Sequence, residues 1–126
     1  KYGGGIEGLT VPGRGFVELV EGDREDTPEA EACVRAVVEP MLERGADQIV
    51  LGCTHYPFLL PVLERVVAGR GVTVVDPSPA VARRVVQLLD RYGLHVDPAH
   101  RAEYAFRTFA DEAYRLRLER KALGAL

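Results

Sequence analysis

The stretch "QIVLGCTHYPFLLPVLERVVAGRGVTVVD", residues 48–76, has a short apolar run at each end and a helical segment between them. Both runs, "QIVLG" (48–52) and "GVTVVD" (71–76), are too short and too apolar for surface helices and are typical of buried parallel strands. Two prolines mark the entry to the intervening helix, which we expect to run to about Ala68. This strand–helix–strand order predicts an α/β fold with a parallel sheet.

The upstream segment extends the alternation of strands and helices. "GFVELVEG" (15–22) is β-prone and predicts another strand. A helix is expected to follow, with Thr27 as its cap, Pro28 in its first turn and Gly45 as its stop, and Pro40 is expected to bend or shorten it. Its apolar face is predicted from helical spacing to contain Ala30, Cys33, Val34, Val37, Val38, Met41 and Leu42.

The downstream segment predicts two further helices and one strand. "PSP" (77–79) opens a helix that Gly93 ends, "EYAFRTF" (103–109) alternates as a strand does, and Asp111 caps a final helix. The fold class that we predict is α/β, a parallel-sheet sandwich. "AGRG" (68–71) indicates a division of the chain into residues 1–70 and 71–126.

Composition excludes several classes of protein. The chain has 126 residues, of which 47% are hydrophobic and 28% charged, and a net charge of -3. We therefore expect neither nucleic acid nor an anionic membrane as a partner. No window resembles a membrane span or a signal peptide, and two cysteines without a CxxC do not form a disulfide framework. A cytoplasmic location is the default expectation.

The ends of the sequence indicate a piece of a longer protein. The chain starts at Lys1, and its only methionine is Met41. We expect the missing part to contribute to the chemistry.

The candidate reactive group is Cys53. It follows the first apolar run directly, and ligands bind at the carboxyl ends of strands in open α/β sheets. A helix N-terminus and a neighbouring imidazole, here His55, both favour the thiolate, and Thr54 offers a hydroxyl and a backbone N–H to an anionic substrate. The alternative is a small buried hydrophobe, which is the interpretation that we prefer for Cys33 because it lies on the apolar face of a helix.

Other cysteine and cofactor chemistries are less compatible with this segment. A phosphatase loop needs an Arg shortly after the Cys, and a cysteine protease remains open although no oxyanion arrangement or Asn partner is evident. A metal would need ligands beyond Cys53 and His55. Pyridoxal phosphate needs a lysine, and the only lysines are Lys1 and Lys121. A thiol that acts as acid or base without a cofactor or metal fits best.

Four stretches of the sequence resemble the glutamate racemases, cofactor-independent enzymes that make D-glutamate for peptidoglycan. "VLGCTHYPFLLPVL" (50–63) is similar to the family's second cysteine motif, and its Thr-His-Tyr-Pro indicates the glutamate branch of the aspartate/glutamate racemase superfamily. "FVELVEG" (16–22) looks like the family's Phe-Val-Pro-Leu-Val-Glu segment, with Glu18 where Pro is usual. "EPMLERGADQIVLGCTHYP" (39–57) and "VTVVDPSPAVARRVVQLL" (72–89) resemble the segments before and after the motif.

The resemblance implies a role for each candidate site residue. In that family two cysteines face each other across the substrate α-carbon, one removing a proton as thiolate and the other returning one. Cys53 would be the second thiol, with His55 tuning it and Glu21 assisting catalysis. Cys53 and Thr54 would contact the substrate. Nothing in this sequence matches the first thiol.

The resemblance also implies an architecture and a function. The family fold has two α/β domains with the active site between them, so residues 1–70 would belong to the second domain and 71–126 would return to the first. The chain would be the C-terminal half of a cytoplasmic glutamate racemase that supports peptidoglycan synthesis and cell shape, and would be inactive alone. Glutamate would be its small-molecule partner, and a homodimer is compatible with it.

Two other functions stay open from the sequence. The chain could be a non-catalytic α/β fragment or partner-binding domain that keeps the motif. It could also belong to a racemase of aspartate or a related amino acid in the same superfamily.

Overall fold

A computed structural model describes residues 4–124. The elements in chain order are α1 (Phe16–Glu21), α2 (Pro28–Glu43), β1 (Gln48–Val50), a 3-10 helix (Tyr56–Leu59), α3 (Leu60–Val67), β2 (Thr73–Val75), α4 (Ser78–Tyr92) and α5 (Glu112–Gly124). Across the described residues, no helix combines the length and apolar character needed to cross a membrane.

The two strands form a small parallel sheet, which confirms the predicted α/β class. Ile49 pairs with Val74, and the backbone N–H of Leu51 extends the pairing by donating to the Val75 carbonyl at 3.0 Å. The prediction that both strands are buried is wrong for β2, whose residues are exposed or half-buried, and for one face of β1. Ile49 is buried whereas Val50 is 64% exposed, because successive side chains of a strand point to opposite faces.

The chain forms two compact units, of which the first ends at Val75 and the second starts at Asp76. The sequence suggests a division a few residues earlier, at 68–71. β2 belongs to the first unit because its backbone hydrogen bonds are made with β1. The assignment of these parts to two domains of a racemase stays a prediction.

The segment at residues 15–22 is a helix, and the prediction of a strand there is wrong. Phe16, Leu19 and Val20 are buried, and this spacing of i, i+3 and i+4 places all three side chains on one face of α1. Gly15 precedes the helix with φ of 83°, a left-handed conformation that glycine adopts without steric cost. The β-prone composition of the segment is overridden because its apolar residues meet the core at helical spacing.

The predicted cap, stop and apolar face of α2 are confirmed, and the bend expected at Pro40 stays a prediction. The Thr27 side chain accepts a hydrogen bond from the Ala30 N–H at 3.2 Å, and Gly45 follows the helix with φ of +79°. Pro40 does not shorten the helix, which continues to Glu43. Proline removes one hydrogen bond, and the buried face of α2 offsets that loss by packing against the core.

One hydrophobic core joins the helices of the first unit to the sheet. α2 packs against α3, and α1 packs against both α2 and the 3-10 helix. The core consists of Phe16, Leu19, Val20, Ala30, Val34, Val38, Ile49, Leu51, Leu59, Val62, Leu63, Val66 and Val67.

The second unit contains α4 and α5. Gly93 ends α4 in a left-handed conformation, and Asp111 Oδ1 accepts a hydrogen bond from the Tyr114 N–H at 2.8 Å, so both predicted helix boundaries are confirmed. The strand predicted at 103–109 is wrong, because those residues form no regular element. A strand needs a neighbouring strand to accept and donate its backbone hydrogen bonds, and the described residues of this unit contain no strand.

Replacement of the α2 cap should destabilise the first unit. In Thr27→Ala the N–H of Ala30 loses its side-chain acceptor, so the free energy of unfolding should fall by about 1 kcal/mol. Urea denaturation followed by circular dichroism measures this change. Thr27→Ser keeps the acceptor oxygen and is the matched control; equal stability of the Ala and Ser variants would contradict the role of the cap.

Candidate active site

A tight turn after β1 brings Cys53 and His55 together. The backbone N–H of Tyr56 donates to the Cys53 carbonyl at 3.2 Å, which closes a turn over the residues between them. Within this turn, Cys53 Sγ lies 3.8 Å from His55 Nδ1, a distance at which the large sulfur atom can hydrogen-bond to the ring. The local backbone therefore pairs the thiol with the imidazole.

A carboxylate from α1 meets the other side of the same imidazole. His55 Nε2 lies 3.3 Å from Glu21 Oε1, and the two side chains are 28% and 33% exposed. Glu21 is the last residue of α1, and it reaches His55 because α1 packs against the 3-10 helix that starts one residue after His55. Thr54 is exposed in the turn between Cys53 and His55.

The structure thus forms a row of thiol, imidazole and carboxylate from Cys53, His55 and Glu21. An ionised carboxylate only accepts hydrogen bonds, so Glu21 favours a proton on Nε2. In the neutral ring this leaves Nδ1 as an acceptor facing the thiol. The arrangement can take a proton from Cys53 and stabilise the imidazolium that results.

The helical segment after the thiol starts with a 3-10 turn. Helical structure begins three residues after Cys53, first as a four-residue 3-10 helix and then, from Leu60, as α3. The effect of this helical segment on the Cys53 thiolate stays a prediction. The side-chain contact observed for Cys53 is with His55.

Cys33 has a different environment. Its Sγ donates to the Arg14 carbonyl at 3.2 Å, and its side chain packs against the core. Burial raises the pKa of the Cys33 thiol, and the nearby carboxylates of Glu18 and Glu29 raise it further. Both cysteines are free. These contacts support a structural role for Cys33.

Among residues 4–124, no three His, Cys, Asp or Glu side chains are grouped so as to hold a metal ion.

Sequence reasoning missed the contacts that hold α1 against the site. The rings of Phe16 and Tyr56 meet edge to face, with centroids 5.1 Å apart and planes at 76°. Gly13 lies so close that a Cβ there would be 2.7 Å from Tyr56 Oη. The available signal was the helical spacing of apolar residues in α1 together with the two glycines of "VPGRG" (11–15).

Residues 4–85 match the family described as Asp/Glu/Hydantoin racemase. The chain belongs to this racemase family. Among curated relatives, the glutamate racemase of Roseiflexus sp. (strain RS-1) is 44% identical over 94 residues, which are 75% of this chain and 34% of the relative. The glutamate racemase of Deinococcus radiodurans is 40% identical over 110 residues, 87% of this chain and 38% of the relative. The chain thus spans little more than a third of these relatives.

Solved structures of racemases have the same fold as this chain. Glutamate racemase from Thermus thermophilus, in complex with β-chloro-D-alanine, aligns with a TM-score of 0.70 and 34% identity, covering 84% of this chain and 40% of that one. Glutamate racemase from Francisella tularensis, in complex with D-glutamate, aligns with a TM-score of 0.81 over 94% of this chain and 44% of that one. The second match is 21% identical and shows the fold alone.

The raised pKa of Cys33 predicts a dependence of stability on pH. The folded-state pKa lies above the usual 9.0, so the contribution of the neutral thiol is complete below that pH. Above it the unfolded chain loses its proton first, and the contribution falls as pH rises through the folded pKa. The difference in unfolding free energy between wild type and Cys33→Ala should therefore shrink from pH 7 to pH 10 in urea denaturation. A constant difference would show that Cys33 titrates alike in both states.

Proposed function

We propose that this chain is part of a glutamate racemase and supplies one of its two proton-transferring thiols, Cys53. The observation that carries the proposal is the placement of His55 between Cys53 Sγ and Glu21 Oε1. The curated relatives at 40% and 44% identity are glutamate racemases, which supports the choice of reaction and substrate. The Thermus thermophilus relative was crystallised with a D-amino acid analogue, which supports an amino acid as ligand.

In the proposed mechanism Cys53 acts on the proton of the substrate α-carbon. For one enantiomer, the Cys53 thiolate takes the proton, while a thiol on the opposite face gives one to the carbanion. In the reverse direction Cys53 is the donor and the opposing group is the base. An α-hydrogen is weakly acidic, so the base and the acid must both be held in contact with the carbon.

His55 and Glu21 would set the protonation state of Cys53. His55 Nδ1 accepts the thiol proton when Cys53 must act as base, and Glu21 stabilises the resulting imidazolium through Nε2. Thr54 is exposed in the same turn, where its hydroxyl and backbone N–H are available to a substrate carboxylate. We assign the opposing thiol to a part of the full-length protein outside this chain, because Cys33 packs against the core.

We further propose the biological setting that fits this reaction. The product D-glutamate would supply peptidoglycan synthesis and thereby cell shape, in the cytoplasm. The partner would be glutamate rather than nucleic acid or membrane, and the assembly a homodimer of the full-length protein.

Loss of the Cys53 thiol should abolish most of the activity. In the full-length protein, Cys53→Ala should lower kcat for glutamate racemisation about a hundredfold to ten-thousandfold, the usual contribution of a general acid or base. Circular dichroism at a fixed wavelength follows the change of enantiomer. Cys33→Ala is the matched control and should keep kcat within about twofold; an unchanged rate in Cys53→Ala would exclude the proposed role.

Isotope exchange separates the substrates and tests catalysis itself. In deuterium oxide the full-length enzyme should introduce deuterium at Cα of both glutamate enantiomers, as measured by proton NMR. Exchange into aspartate instead of glutamate would favour a racemase of another acid. Exchange into neither would favour a non-catalytic protein.

A further inference from the structure

We propose that Tyr56 is a positioning residue that holds α1 against the 3-10 helix and so keeps Glu21 in contact with His55. This inference rests on the proposed function, in which Glu21 acts on Cys53 through His55. The packing contacts around α1 support this role, and the roles assigned to the cysteine motif do not explain them.

The contact between Tyr56 and Phe16 joins the two elements that carry Glu21 and His55. Phe16 is the first residue of α1 and Glu21 the last, whereas Tyr56 follows His55 directly. The edge-to-face geometry, with centroids 5.1 Å apart, is the preferred one for aromatic pairs. Phe16 is buried, so the contact fixes the beginning of α1 against the turn that carries His55.

Gly13 allows this contact to be close. A Cβ at Gly13 would lie 2.7 Å from Tyr56 Oη, 2.8 Å from Tyr56 Cζ and 2.7 Å from Phe16 Cδ2. All three distances are shorter than real Cβ contacts, so any larger residue would push one of the rings away. The backbone at Gly13 thus packs directly against both aromatic rings.

The other end of α1 is held by Arg24. Its Nη1 donates to both carboxylate oxygens of Glu29 at 2.8 Å, and its Nη2 donates to the Glu18 carbonyl at 3.4 Å. This ties the carboxyl end of α1 to the start of α2. Because α1 is only six residues long, displacement of its Phe16 end would tilt the whole helix about this tie and turn the Glu21 side chain relative to His55.

Positioning matters here because the contact between Glu21 and His55 is partly exposed to solvent. The side chains of Glu21 and His55 are 33% and 28% exposed. At such exposure the free energy gained from the contact is small when both side chains must lose conformational freedom to form it. Holding the two groups at 3.3 Å removes the cost of ordering long side chains. The aromatic contact between Phe16 and Tyr56 provides this order.

The test is a double-mutant cycle between Tyr56→Leu and Glu21→Gln in the full-length protein. The first readout is the rate at which iodoacetamide modifies Cys53 at pH 7, measured by mass spectrometry of the peptide that contains Cys53. Each single variant should slow the modification of Cys53 by about fivefold. Loss of a partly exposed contact such as that between Glu21 and His55 changes the equilibrium between thiol and thiolate by about this factor. In the double variant, Cys53 should be modified no more slowly than in either single variant, because both changes remove the same contact between Glu21 and His55.

The conservative variant separates the ring contact from the hydroxyl. Tyr56→Phe keeps the aromatic pair and should restore the wild-type rate of Cys53 modification. The second readout is kcat for glutamate, which should follow the same cycle with KM changed by less than about twofold.

Two outcomes would overturn the proposal. One is a wild-type rate of Cys53 modification in Tyr56→Leu, and the other is a double variant in which the single effects multiply to about 25-fold. The alkylation readout does not need racemisation. If the cycle holds while glutamate shows no exchange, the proposed function fails and the positioning role stands.

Cys33 reports whether a variant is still folded. Burial raises the pKa of the Cys33 thiol, so it should react slowly while α1 and α2 remain packed. If Cys33 becomes reactive in Tyr56→Leu, Gly13→Ala provides the second approach, because it displaces the rings while leaving both in the chain. It should slow Cys53 modification as Tyr56→Leu does, and unfolding of both variants would show that the contact determines folding rather than the position of Glu21.

Discussion

The parallel pairing of β1 with β2 is the constraint on which the first unit depends. Parallel strands cannot be joined by a tight turn, so the chain between Val50 and Thr73 must cross over, and the 3-10 helix and α3 provide that crossover. The start of the crossover is the turn that carries Cys53 and His55. The thiol therefore lies at the carboxyl end of β1 because of the sheet topology.

The candidate site combines that turn with a helix from a distant part of the sequence. Cys53 and His55 are paired by the local backbone, since the Tyr56 N–H closes the turn on the Cys53 carbonyl. Glu21 joins them only because the buried face of α1 packs into the same core as the 3-10 helix. Hydrophobic packing thus completes an electrostatic arrangement that no local segment contains.

The two cysteines show how environment decides the role of one residue type. Cys33 lies against the core and a backbone carbonyl, where burial raises the pKa of its thiol and keeps it neutral. Cys53 lies beside an imidazole whose other nitrogen faces a carboxylate. The chain shares its fold and family with racemases, and the contrast between its two thiols agrees with the proposed proton-transfer role of Cys53.

The sequence by itself determined the α/β class, the boundaries of α2, the ends of α4 and the cap of α5, because caps, glycines and apolar periodicity act within a few residues. It also identified Cys53, His55 and Glu21 as candidates, the last by resemblance. Tertiary structure decided that the segment containing Glu21 is a helix and that its carboxylate lies 3.3 Å from His55. These features depend on which apolar face meets the core, and a β-prone local sequence cannot show that its side chains will be buried at helical spacing.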